Sequence, residues 1–170
     1  MAERHAPRPF APEQLLTTLA EHGVRYVLIG ALAARLNGFP RVTAAADLTP
    51  ARDSENLERL AAALRSLEAR DWTDGVPEGL AFDCSAVTLG RAHLWNLVTS
   101  AGRVDLLFHP AGVASFDALA SEAERFEVFG ATLLVAPLRA ILRMKEAADR
   151  PKDRQDAAVI RALIARDQAT

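Results

Sequence analysis

Apolar positions along this chain alternate between short continuous runs and helical stripes. Pro12, followed by Leu15, Leu16 and Leu19 at helical spacing and by Gly23, predicts a helix over 12–22. Tyr26-Val27-Leu28-Ile29 is an unbroken β-rich run, as expected of a central strand buried on both faces. Gly30 ends that strand, and residues 31–36 restart as a short helix closed by Asn37-Gly38. Residues 41–48 read as a second strand, stopped at Thr49-Pro50. Asp53 or Ser54 then caps a helix whose Leu57, Leu60, Leu64 and Leu67 form one stripe.

From 71 to 82 the pattern is irregular, with turn signals at Asp74-Gly75 and Pro77. Segments 94–99 and 103–108 predict a hairpin through Ser100-Ala101-Gly102, and a helix starts near Ser115. Segments 126–129 and 132–135 predict a second hairpin around Gly130, and Pro137 precedes closing helices over 138–148 and 151–166. No internal repeat or linker interrupts this order. It predicts an α/β fold, a mixed sheet flanked by helices, as one domain over 1–170. Residues 1–10 are expected to be a flexible arm, and 138–166 to form the C-terminal helices.

Composition narrows the class. The chain has 170 residues, half apolar and a quarter charged, which suits one ordinary hydrophobic core. No apolar run is long enough for a bilayer span, so no membrane partner is expected. Cys84 is the single cysteine, which excludes an internal disulfide and fits a reducing, cytoplasmic setting. Net charge is −2, yet residues 139–170 carry +3 and the remainder −5. Those basic helices, with Arg139, Arg143 and Lys152, either face phosphates or form a solvated surface of ion pairs.

Common catalytic signatures are missing. The chain has no Gly-x-Gly-x-x-Gly, no phosphate loop and no Gly-x-Ser-x-Gly elbow. Its histidines (5, 22, 93 and 109) lack metal-ligand spacing. What stands out is Leu28-Ile29-Gly30-Ala31, followed by Arg41-Val42-Thr43-Ala44-Ala45-Ala46-Asp47-Leu48. A small-residue turn between a buried strand and a helix frees backbone N–H groups for a phosphate, and Asp47 could hold a cation beside it. The plainer reading is a βα turn with a capping aspartate. Asp105 alternates away from Val104, Leu106 and Phe108, so it sits in an apolar strand where a carboxylate needs a ligand or a partner. Arg103 and Arg41 are the candidate partners.

Taken together, the stretch from Val24 to Asp53, Val104-Asp105-Leu106-Leu107, and Met144-Lys145-Glu146-Ala147-Ala148-Asp149-Arg150-Pro151-Lys152-Asp153 resemble the minimal nucleotidyltransferases. The similarity is to the AbiEii-type and MenT-type toxins of toxin–antitoxin pairs. Those proteins carry a Gly-Gly or Gly-Ser turn, then Arg-x-Thr-x-Asp-x-Asp, a third strand aspartate, and a lysine-bearing helix leading into Lys-Asp-x-x-Asp.

The resemblance implies a nucleotidyltransferase-like fold and transfer of a nucleoside monophosphate from a nucleoside triphosphate, ATP among the candidates, to an acceptor. It implies Mg²⁺ or Mn²⁺ on Asp47 and Asp105, with both carboxylates and Lys145 in catalysis. Gly30, Ala31, Arg41, Thr43, Lys145 and Asp153 would contact the nucleotide, and Asp156 completes the last acidic pair. The toxin likeness points to the 3′ end of tRNA as acceptor and to a cognate antitoxin as partner. Two rival readings are an antitoxin of the same fold that adenylylates a protein, and a non-catalytic nucleotide- or partner-binding module.

One departure matters. The first metal aspartate of the pattern falls at position 45, where this chain has Ala45. Period-two alternation puts residues 45 and 47 on one strand face, which is how two carboxylates grip the same pair of cations. Without the first, weak cation binding and little transfer are expected. Alanine here fits either a scaffold that has lost catalysis or a substitution that silences a toxin.

Overall fold

Helix α1 (Pro12–Glu21) starts with proline in its first turn and buries Leu15, Leu16 and Leu19 completely or nearly so. The computed structural model describes residues 8–169, so most of the expected arm, residues 1–7, lies outside the described residues. Its last part is seated on the body. Phe10 packs against the core, and its backbone lies so close to Gly102 that a Cβ there would meet it at 2.8 Å.

The chain then runs β1 (Tyr26–Ile29), α2 (Gly30–Leu36), β2 (Ala45–Pro50), α3 (Ser54–Ser66), β3 (Arg70–Thr73) and β4 (Val76–Leu80). It continues through α4 (Ala86–Leu89), β5 (Leu94–Thr99), β6 (Gly102–Leu107), α5 (Phe116–Glu122), β7 (Glu124–Val128), β8 (Ala131–Val135), α6 (Leu138–Ala148) and α7 (Pro151–Gln168). The eight strands form one mixed sheet in the order β4-β3-β5-β6-β2-β1-β8-β7. Strand pairs β1–β8 and β2–β6 are parallel, and the rest are antiparallel. The predicted α/β architecture with C-terminal helices is therefore observed. All four residues of β1 are buried, as its unbroken apolar run requires.

Three local expectations need correction. The second strand begins at Ala45 rather than 41 and runs through Pro50. Pro50 is tolerated because it is the strand's last residue, opposite Tyr26, where a missing N–H does least damage to the ladder. Residues 71–80 are not irregular: Asp74-Gly75 turns a hairpin between β3 and β4, with Gly75 at φ +86°. The pattern misses it because this edge hairpin is polar and mostly exposed, so no apolar alternation marks it. The short helix α4 also escapes, its four residues being too few for a periodic signal.

Asn56 fixes how α3 leaves the sheet. Asp53 caps the helix by accepting from Asn56 N at 3.1 Å. The buried Asn56 side chain accepts from Arg25 N at 2.7 Å and donates to Arg25 O and Ala51 O at 2.9 and 2.7 Å. One amide thus bonds three backbone groups where β1 begins and β2 ends, and of these Arg25 O also accepts from Ala51 N at 3.0 Å. Asn56→Ala is expected to lower stability by about 2–4 kcal/mol, since unpaired buried groups cost about 1–3 kcal/mol each. A urea titration checks it; a loss below about 0.5 kcal/mol would contradict this account.

Among the described residues, no helix is long and apolar enough to cross a membrane.

Candidate functional site

Register brings the two strand aspartates together. Parallel strands β2 and β6 align Ala45 with Arg103 and Asp47 with Asp105, while β1 places Ile29 opposite Asp47. Because side chains alternate, Ala46, Leu48, Val104 and Leu106 point into the core, and Asp47 and Asp105 share the other face. Antiparallel β5 adds Asn96 opposite Asp105, so Asn96, Asp105 and Asp47 form one row across three strands. Asn96 had no sequence signal: a lone asparagine in a strand becomes meaningful only once its neighbours are known.

Gly30 roofs this row. Its φ is +68°, in the left-handed region, and a Cβ there would stand 2.0 Å from Asp47 Oδ2. Glycine is thus required twice at this position, by the turn out of β1 and by the carboxylate beneath it. Ala31 follows in α2 and lines the same cavity.

The cavity above the acid pair measures about 500 Å³ and is walled by α2, α6, α7 and the β5–β6 face. Its far wall is cationic but internally paired. Helix α7 presents two nearly fully buried acids, Asp153 and Asp156. Lys145 donates to Asp156 at 3.0 Å and lies 3.7 Å from Asp153, and Arg41 pairs with Asp156 at 2.7 Å. Arg150 holds Asp153 at 2.6 Å. Asp153 also accepts from Arg150 N, completing a cap at the start of α7, just past the left-handed turn at Asp149. Burial pushes the Asp153 carboxyl up, but hydrogen bonds and charge from Arg150 outweigh it and leave the net value below the ordinary carboxylate range.

Of the residues singled out in the sequence, Gly30, Ala31, Arg41, Asp47, Asp105, Lys145, Asp153 and Asp156 all line this cavity. Thr43 does not: its hydroxyl donates to Ala45 O at 2.7 Å, shaping the entry into β2. Ala45 lies on the Asp47 face, two residues along. The basic helical surface is also largely engaged, because Arg143 and Arg139 turn to Glu122 of α5. Lys152 borders the cavity and is exposed. His93 and His109 meet edge to face at 4.9 Å with Arg52 against both rings, which puts a guanidinium where a metal would have to sit.

The acid pair is electrostatically frustrated. Burial raises the Asp47 carboxyl to about 6, aided by the neighbouring charge of Asp105 and opposed by Lys145 and Arg103. Burial likewise raises Asp105, with Arg103 opposing. Asp105 Oδ1 is buried with no hydrogen-bond partner, and the Arg103 guanidinium is 3.6 Å away. Two desolvated carboxylates with an orphaned oxygen suit one oxygen-preferring divalent cation completed by water or phosphate. They do not suit two. Among the described residues, no group of three or more His, Cys, Asp or Glu side chains is placed to hold a metal ion.

No protein-family model matches the chain, and no curated protein matches it. Among solved structures, the solution structure of the antibiotic-resistance factor ANT(2″)-Ia is similar. The two share 17% identity over 93% of this chain and 91% of that one, with a TM-score of 0.47.

Proposed function

We propose that this chain is a nucleotidyl-transfer domain that takes a nucleoside triphosphate and one divalent cation, Mg²⁺ or Mn²⁺, above Asp47 and Asp105. The observation that carries this reading is the register match of those two aspartates beneath Gly30. Residues distant in sequence, each chosen for chemistry, converge on one cavity, and a plain βα turn gives no reason for that.

Asp47 and Asp105 would hold the cation, which supplies charge to the phosphates when bound. Lys145 and Arg41 would exchange their α7 carboxylates for triphosphate oxygens, a charge-assisted contact. In the transfer step an acceptor hydroxyl oxygen bonds to the α-phosphorus and the bond to the bridging oxygen of the β-phosphate breaks. Pyrophosphate leaves, and the hydroxyl proton passes to a carboxylate of the acid pair. With Ala45 in place of a third acid, binding should outlast turnover: a cation held by two carboxylates can neutralise phosphate but lacks the second ion of a two-metal centre.

With the sequence likeness added, the acceptor on this reading is the 3′ end of tRNA, and the chain is the toxin of a pair with a cognate antitoxin as its partner. A protein-adenylylating antitoxin and a silent nucleotide-binding module are the competing roles.

Calorimetry with Mn²⁺ and a non-hydrolysable ATP analogue tests the core of the proposal. One cation and one nucleotide per chain are expected, both lost in Asp105→Asn. Labelled-nucleotide transfer should be faint, and stronger in Ala45→Asp. No binding of either ligand to the well-folded parent would sink the reading.

A further inference from the structure

The sheet face that carries the acid pair extends beyond the cavity, and that extension has its own chemistry. Strand β3 pairs with β5 through Asp71 and Leu97, and Leu97 is buried in the core. The next residue, Trp72, therefore faces the other way, on the side of Asn96, Asp105 and Asp47. The Arg103 guanidinium lies over the Trp72 ring, 3.9 Å from its centroid, and reaches Asp105 at 3.6 Å. Its Nε is buried and has no hydrogen-bond partner. Neither Trp72 nor Arg103 lines the cavity, so the pair occupies ground next to Asp105 that the nucleotide would leave free. Arg70, two residues before Trp72 and on the same face, is exposed.

A partly exposed indole under a guanidinium with an unused donor is a poor way to finish a sheet. An unpaired buried donor costs about 1–3 kcal/mol, and an exposed Trp–Arg stack returns only about 0.5–1 kcal/mol. The arrangement is well matched, however, to a ligand that is both planar and anionic. A base can stack on the aromatic–guanidinium surface while a phosphate pairs with the exposed part of the Arg103 guanidinium, whose side chain is 37% exposed. A hydroxyl carried by that ligand would lie within reach of Asp105.

We propose that Trp72 and Arg103 form the acceptor subsite, a stacking platform that receives the terminal nucleotide of single-stranded RNA. This rests on the nucleotidyl-transfer reading and deepens it. It also moves the RNA contact from the basic C-terminal helices, whose Arg139 and Arg143 are engaged with Glu122, to the face of the sheet formed by β3 and β6. A protein acceptor would bring neither a base nor a phosphate and would leave both groups idle.

Tryptophan emission reports on the platform directly. The chain has two tryptophans, and Trp95 is occupied elsewhere: it stacks on Phe82 and donates to Leu89 O. In a Trp95→Phe background, titration with an unstructured oligocytidylate bearing a free 3′ hydroxyl should quench Trp72. Trp72→Leu and Arg103→Gln should each weaken RNA binding, followed by anisotropy, about tenfold. Trp72→Phe keeps a ring and should retain most of the affinity, so a folding defect in the leucine variant does not blur the result.

Mn²⁺ and inorganic tripolyphosphate should bind Trp72→Leu as they bind the parent, because the cavity is untouched. Absence of quenching, or RNA affinity indifferent to Trp72, overturns the platform. A parent that binds RNA through Trp72 but takes neither Mn²⁺ nor tripolyphosphate overturns the nucleotidyl-transfer reading instead.

Discussion

Asp47→Asn is expected to stabilise the protein at pH 8 and to leave its stability nearly unchanged at pH 4. The folded chain holds Asp47 at a raised value of about 6, so between an ordinary carboxylate value and 6 it binds more protons than the unfolded chain. Stability then falls as pH rises through that window, and above it the whole cost of burying a second charge beside Asp105 is present. The shift corresponds to a ceiling of roughly 3 kcal/mol, reduced in practice by solvent reaching the cavity. Asparagine keeps the shape, carries no charge and can donate a hydrogen bond to Asp105. Thermal unfolding of both proteins from pH 4 to 8 checks the claim: the curves should diverge as pH rises. Mn²⁺ should raise the unfolding midpoint of the parent at pH 8 and do little for the variant. Parallel curves would mean that the two acids are not in contention.

Gly30→Ala should damage both the fold and the acid pair. Its Cβ would land 2.0 Å from Asp47 Oδ2 and 3.0 Å from Asp47 Cβ, so side-chain rotation alone cannot clear it. The left-handed φ of +68° adds about 1–2 kcal/mol for any L side chain. A total loss of roughly 2–4 kcal/mol is expected, together with loss of Mn²⁺ binding, because the displaced carboxylate can no longer face Asp105. The control is Gly75→Ala. That glycine is also left-handed but meets nothing within 4 Å, so only the backbone cost should appear there. Equal losses at both sites would refute the contact with Asp47.

Much of this was legible in the sequence because the signals were periodic or punctuated. The unbroken run of β1, the leucine stripe of α3, the turn at Gly130 and the Pro151 start of α7 all fall where the pattern puts them. The edge hairpin β3–β4 was hidden, since polar edge strands carry no alternation. Its concealment also hid Trp72, which gains meaning only from Arg103, thirty-one residues on. Within the site, Gly30, Asp47, Asp105 and Lys145 were readable as types of residue in order. The partners of Lys145 and Arg41 were not. Ion pairing between α6, α7 and the segment before β2 is a product of helix packing, and nothing local encodes it. Thr43 fits the pattern by position, while in the structure its hydroxyl donates to Ala45 O just before β2 begins.

The buried acids of α7 have a consequence for how a guest is admitted. Arg41 and Lys145 are never bare, because Asp156 already occupies them. An incoming polyanion would have to displace an internal competitor, so its affinity is the difference between two pairings. Added salt weakens both, and the response to ionic strength should be shallower than the number of cations around the cavity suggests. On the nucleotidyl-transfer reading, helix α7 would be a resident competitor for the incoming phosphates, and loosening it would change what the cavity accepts.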